Sequence, residues 1–171
     1  MSIDESPSVP PLSDAAPVSC RTFLVVVDES EEMRAALQFA SKRARNTGGQ
    51  VALLHVIEPP EFQHFAGIGR LMSAEAYTKA EETLHRLAAE VNSTTGHFPM
   101  LYIREGEPAK ELLNLINEEP TISVLVLAAG TGPEGPGPLV SGVSGKLANK
   151  LRIPVTIVPG HLSDEEIDFL S

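Results

Sequence analysis

From Arg21 onward, short continuous apolar runs alternate with stretches whose apolar residues recur every third or fourth position. A continuous run rich in β-branched residues marks a strand buried on both faces, whereas the longer period belongs to a helix with one covered side. Five strands are predicted on this basis: Thr22–Val27 (TFLVVV), Val51–Ile57 (VALLHVI), Phe98–Ile103, Ile122–Ala129 (ISVLVLAA) and Ile153–Val158 (IPVTIV). Met33, Ala36, Leu37, Ala40 and Ala44 define a first helix. Ser30 is its expected N-cap, Glu31 and Glu32 put negative charge near its start, and Gly48-Gly49 stops it. After a linker holding Gly67 and Gly69, a second helix is predicted near 71–95, with Tyr77, Ala80, Leu84, Leu87 and Val91 on one stripe. Pro108 suits the first position of a third helix lined by Leu112, Leu115 and Ile116. A fourth helical stretch runs from the segment GTGPEGPGP to Leu151. Pro154 removes a ladder donor, which points to an edge position for the last strand. Residues 162–170 suit a short helix capped by Ser163, with Leu162, Ile167 and Leu170 as its apolar face.

Apolar strands separated by helices imply an α/β fold: a single doubly wound domain, with a five-stranded parallel sheet covered on both faces. In such sheets ligands bind beyond the carboxyl ends of the strands, where the strand order reverses. The candidate loops are therefore Asp28–Ser30, Glu58–Gly69, Arg104–Glu107 and Gly130–Gly142. The 171 residues suit one domain. Residues 1–20 are rich in proline and serine and read as a disordered acidic tail, residues 21–160 as the domain, and residues 161–171 as a second acidic tail.

Charge and composition narrow the chemistry. The net charge of −10 argues against nucleic acid as a partner. Much of it sits in the tails, on Asp4, Glu5 and Asp14 and on Asp164, Glu165, Glu166 and Asp168. No apolar run is long enough to span a bilayer, so no membrane partner is expected. The start lacks a basic segment followed by an apolar one, and a cytoplasmic location is the expectation. Cys20 is the single cysteine, and His55, His64, His85, His97 and His161 show no metal-ligand spacing, so no metal is expected. Gly145-Lys146 lacks the glycine and the following Ser or Thr of a phosphate-binding loop. No nucleophile–base pair is visible, and catalytic residues are expected to be absent. Asp28, at the end of the first strand, can either accept hydrogen bonds from a ligand or cap backbone donors near Ser30.

The segments VVVDESEEMRAALQFA, VALLHVIEPP, IREGEPAKELLNLI and KLRIPVTIVP, in that order, resemble the universal stress protein family. The resemblance spans residues 21–160. It implies a sheet of order 3-2-1-4-5, a cytoplasmic stress-response role, homodimers formed through the fifth strand and, in one branch, ATP binding. By that likeness Asp28 and the backbone of Val56 would hold adenine and ribose, with Ser30 a further residue of the nucleotide site. The phosphates would lie on Gly130, Thr131, Gly132, Gly142, Val143 and Ser144. The ATP-binding branch carries a spaced glycine motif, and here it is degenerate. An ungapped count from IPVTIV puts Ala128, Thr131 and Ser141 on the three glycine positions and Gly142 on the serine.

The loop itself is poorly furnished for a triphosphate. Pro133, Pro136 and Pro138 have no N–H to donate, Glu134 brings negative charge, and no Lys or Arg occurs between Leu127 and Gly145. The resulting expectation is a non-enzymatic homodimeric interaction module with an altered nucleotide site, joined through Ile153, Val155 and Ile157. The alternative is a binder of ATP or another nucleotide, with slow ATPase activity.

Overall fold

The computed structural model describes residues 20–59 and 66–171, with the side chains of 66–68 excepted. The expected tail before Cys20, and His64 in the expected linker, lie outside the described residues. The strands are β1 (Thr22–Val26), β2 (Gln50–Ile57), β3 (Met100–Glu105), β4 (Ile122–Ala129) and β5 (Val155–Pro159). The helices are α1 (Met33–Thr47), α2 (Ala66–Thr95), α3 (Pro108–Glu118), α4 (Pro138–Val143) and α5 (Asp164–Leu170). The strands form one sheet of order β3-β2-β1-β4-β5, and every pairing is parallel.

Alternate residues of the central strands feed two separate cores. Phe23, Val25 and Val27 pack with Leu53, Val126 and the buried faces of α1 and α2. Leu24, Leu54, Leu125 and Leu127 pack on the opposite side with Leu112, Leu115 and Ile116 of α3 and Val140 of α4. Both faces are thus covered, as continuous apolar strands require. Each buried leucine removes about 1.5–3 kcal/mol worth of apolar surface from water.

The strand interiors match the sequence reading, and several ends differ. β1 stops one residue early. β3 begins at Met100, which pairs with Ala52, and Phe98 lies before it, 73% exposed. α2 starts earlier than expected and takes in Gly69. Its first turns carry Leu71, Met72 and Tyr77 in the open, so Tyr77 is not on the buried stripe of Ala80, Leu84, Leu87 and Val91. The helix expected to run through Leu151 ends at Val143, and successive turns follow. Gly142 and Gly145 lower helix propensity there, and the amides of Gly145 and Leu147 both converge on the Gly142 carbonyl.

Two expected roles are corrected at the ends of elements. Ser30 is not the N-cap of α1. Glu32 holds that position without a side-chain bond, because the Ser30 hydroxyl is drawn back to Asp28. Glu31 and Glu32 therefore precede the first turn rather than lie in it. Ile153 is not on the edge strand either. It precedes β5 and is buried in the core beside α3, while the Pro154 carbonyl accepts from Leu125 N–H. Val155 and Ile157 do lie on β5, which is an edge of the sheet.

The acidic C-terminal segment is a docked helix. Ser163 Oγ accepts from Glu166 N–H, and the Glu166 carboxylate accepts from Ser163 N–H, so two orphan donors are satisfied at once. Ile167 is fully buried against α1, and Lys42 bonds Asp168 at 2.7 Å. Leu162 packs on the same core, whereas Leu170 is half exposed and outside the expected apolar face. These cap bonds hold the Glu166 carboxyl below its ordinary value. A depressed carboxylate stabilises the fold above its unfolded pKa, and that contribution is lost as pH falls through the depressed value. Ser163→Ala should lower unfolding free energy by about 1 kcal/mol at neutral pH. Urea titrations should show the gap between variant and parent shrinking as the pH drops below the ordinary carboxylate range.

Arg152 ties the C-terminal end of α3 to the segment before β5. Its guanidinium donates to the carbonyls of Ile116, Glu119 at 2.8 Å and Ile122 at 3.3 Å. Arg152→Met should cost about 1.5 kcal/mol in the same titrations, with Arg152→Lys recovering only part, since one ammonium cannot span three carbonyls.

Candidate functional site

The strand order reverses between β1 and β4, and a cleft of about 860 Å³ opens there, beyond the carboxyl ends of β1, β2 and β4. Its walls combine apolar strand ends (Val26, Val56, Leu127, Ala128) with the α2 residues Lys79 and Thr83 and the Gly/Pro loop after β4. The structure brings Asp28, Ser30, Val56, Gly130 and Gly132 onto this cleft.

Thr131, Gly142, Val143 and Ser144 are not among its lining residues. α4 presents its first turn, Pro138 to Val140, to the cleft and carries the later residues away. Val143 packs on the core beside α3, and the Ser144 hydroxyl donates to the Val140 carbonyl at 3.3 Å. Gly142 is where Leu147 approaches, since an added Cβ would stand 3.0 Å from Leu147 Cδ1. Its lack of a side chain gives Leu147 room.

Asp28 has a local role. Its Oδ1 accepts from Ser30 N–H at 2.9 Å and from the Ser30 hydroxyl at 2.5 Å, which folds the β1–α1 turn over itself. The residue stays exposed at the cleft, and among the described residues Oδ2 has no hydrogen-bond partner. Beside it, Glu29 pairs with Lys79 across the mouth, from the turn to α2. The Lys79 ammonium, by hydrogen bond and charge, holds the Glu29 carboxyl below its ordinary value. Both side chains are well exposed, and such a pair adds little to stability. His55, also on the cleft, contacts the Val27 carbonyl through Nδ1 at 3.0 Å.

The loop at residues 130–137 is closed on itself. Gly130 N–H donates to the Pro136 carbonyl at 3.3 Å, and Gly135 N–H donates to the Gly132 carbonyl at 3.1 Å. Gly130 must be glycine because a Cβ there would meet the Gly135 carbonyl oxygen at 2.8 Å. A phosphate cradle needs converging free amides. Here two of them are committed, and two positions, Pro133 and Pro136, have no N–H.

Glu32 completes this wall. Its side chain lies where a Cβ on Gly160 would stand, 2.2 Å from Glu32 Cγ, and its Oε1 is near Gly130. Asp28, Glu29, Glu32, Glu58 and Glu134 all line the cleft, and among the described lining residues Lys79 is the single Lys or Arg. The local field is negative. Sequence reasoning missed Glu32, Lys79 and Gly160, whose parts depend on tertiary approach. Glu134 was visible from the loop alone.

Among the described residues no group of three or more His, Cys, Asp or Glu is placed to hold a metal ion, and no helix is long and apolar enough to cross a membrane.

Known proteins share this architecture. The model of the universal stress protein family matches residues 20–159. The universal stress protein UspA from Lactobacillus plantarum superposes with a TM-score of 0.70 at 19% identity, covering 81% of this chain and 97% of that one. A universal stress protein solved in complex with cAMP gives 0.57 at 16% identity, covering 82% and 98%. One from Archaeoglobus fulgidus, in complex with dAMP, gives 0.54 at 18% identity, covering 81% and 97%. At these identities the likeness is one of fold. No curated protein matches the sequence. With the family match running from the start of β1 to the end of β5, the chain belongs to the universal stress protein family.

Proposed function

We propose that this protein is a non-enzymatic stress-response module of the cytoplasm. Its cleft takes a nucleoside or a nucleotide with a single phosphate, and it pairs with a second copy through β5. The observation that carries the ligand reading is the closed loop 130–137, with Glu32 and Glu134 on the wall where further phosphates would go. The base-side features expected of a nucleotide site, Asp28 and Val56, face the cleft. Two solved relatives are complexes with cAMP and dAMP, each carrying one phosphate. The residues present do not fit a triphosphate, so no ATPase step is assigned.

Calorimetric titration should show saturable binding of adenosine, AMP or cAMP, with magnesium ATP at least about tenfold weaker at low ionic strength. Added salt should narrow that gap by screening the carboxylates. Glu134→Gln should improve ATP binding about threefold and leave adenosine unchanged. ATP binding tighter than AMP would refute the altered-site reading. Absence of heat with every nucleoside would refute the ligand reading altogether.

The second part of the proposal rests on the outer edge of β5, where no strand pairs among the described residues and Ile157 is 40% exposed. Sedimentation at micromolar concentration should give a dimer for the parent and a monomer for Ile157→Arg. A monomeric parent would overturn it.

A further inference from the structure

The β1–β2 ladder ends in an unusual way. Val27 N–H donates to the Leu54 carbonyl at 2.7 Å. In a regular parallel ladder the next rung would run from Val56 N–H to the Val27 carbonyl. That rung is not made, and the Val27 oxygen is engaged by His55 Nδ1 at 3.0 Å instead. A carbonyl can only accept, so Nδ1 carries the hydrogen.

The direction of the Val56 peptide follows from its neighbours. The Leu54 carbonyl faces β1, and the Ile57 carbonyl accepts from Gly106 N–H on the β3 side, at 3.0 Å. Alternation along β2 therefore turns Val56 N–H and C=O toward the end of β1. Among the described residues neither group has a hydrogen-bond partner, and Val56 is a half-buried residue of the cleft. A strand-end peptide left open inside a cleft presents a donor and an acceptor side by side, which a ligand edge of complementary pattern can satisfy.

We propose that His55 is a positioning residue. Its imidazole takes the place of Val56 N–H on the Val27 carbonyl, and so keeps the Val56 peptide out of the sheet and available to a ligand. The resemblance to the family implies adenine on this peptide, and its ring acceptor next to an N–H donor is the complementary edge. A 6-oxopurine reverses that pattern. The identity of the ligand rests on the nucleoside reading above, whereas the role of His55 in the ladder does not.

The two can be tested separately on the full chain by NMR. Without ligand, a through-hydrogen-bond coupling between Val56 nitrogen and Val27 carbonyl carbon should be absent in the parent. It should appear in His55→Leu, where the freed oxygen lets the rung close. It should be absent again in His55→Asn, whose amide can reach the position of Nδ1. His55→Val is the substitute if the leucine variant does not fold. Coupling in the parent, or its absence in the folded leucine or valine variant, would overturn the proposal.

With ligand, adenosine should shift the Val56 amide and bind about tenfold more weakly to His55→Leu, with His55→Asn close to the parent and inosine weak throughout. Equal binding by the parent and His55→Leu would overturn the positioning role. A correct coupling pattern in a protein that binds no nucleoside would keep the ladder geometry and refute the ligand assignment.

Discussion

Every peptide group in a covered sheet needs a partner, and the places where a strand leaves its neighbours are where that demand becomes available for function. β1 is the strand on which this turns. It pairs with β2 on one side and β4 on the other, and the chain then leaves β1 and β4 toward opposite faces, α1 to one core and α4 to the other. A crevice at that point is a consequence of the winding rather than an addition to it. The two cores fix the strand ends, and the Asp28–Ser30 turn and the His55 contact finish them with side chains.

The electrostatics of the crevice then decide what it can receive. Carboxylates crowd a site with one lysine, and that lysine is already paired with Glu29. Glu32 contributes most to shape as well as charge. It fills the space over Gly160, which must be glycine for this side chain to fit, and its Oε1 lies beside Gly130. An anion entering here meets fixed negative charge in a partly enclosed space, where screening by water is weaker than at an open surface.

Much of the fold was legible because buried parallel strands leave a strong mark, a continuous apolar run between turn residues. Their ends were less so. Phe98 and Ile153 look like strand residues by composition, yet pairing starts at Met100 and Val155, because register belongs to the neighbouring strand and not to the run itself. Ser30 has the chemistry of an N-cap, but Asp28 two residues earlier competes for its hydroxyl. In the site, Asp28 was readable from its place at a strand end, and Val56 only through the likeness to the family. Gly142 and Ser144 were misplaced because a glycine serving Leu147 and a glycine serving a phosphate look alike in one dimension. Lys79 could not be found at all, since an exposed helical lysine carries no mark of a glutamate fifty positions away.

The two ends of the cleft are held by different kinds of bonding, and this bears on how such a site can change. The end at Asp28 and Val56 is made of strand ends, so altering it disturbs the ladder and the cores beneath. The phosphate side is a loop whose hydrogen bonds, Gly130 to Pro136 and Gly132 to Gly135, are internal to it. Prolines and a glutamate can accumulate there without touching a core residue, because the loop satisfies its own amides. A change confined to this loop, beside unchanged strand ends, is therefore the mechanically easy one. Under the proposed function, such a change would move the preferred ligand toward fewer phosphates and leave the strand ends as the sheet puts them.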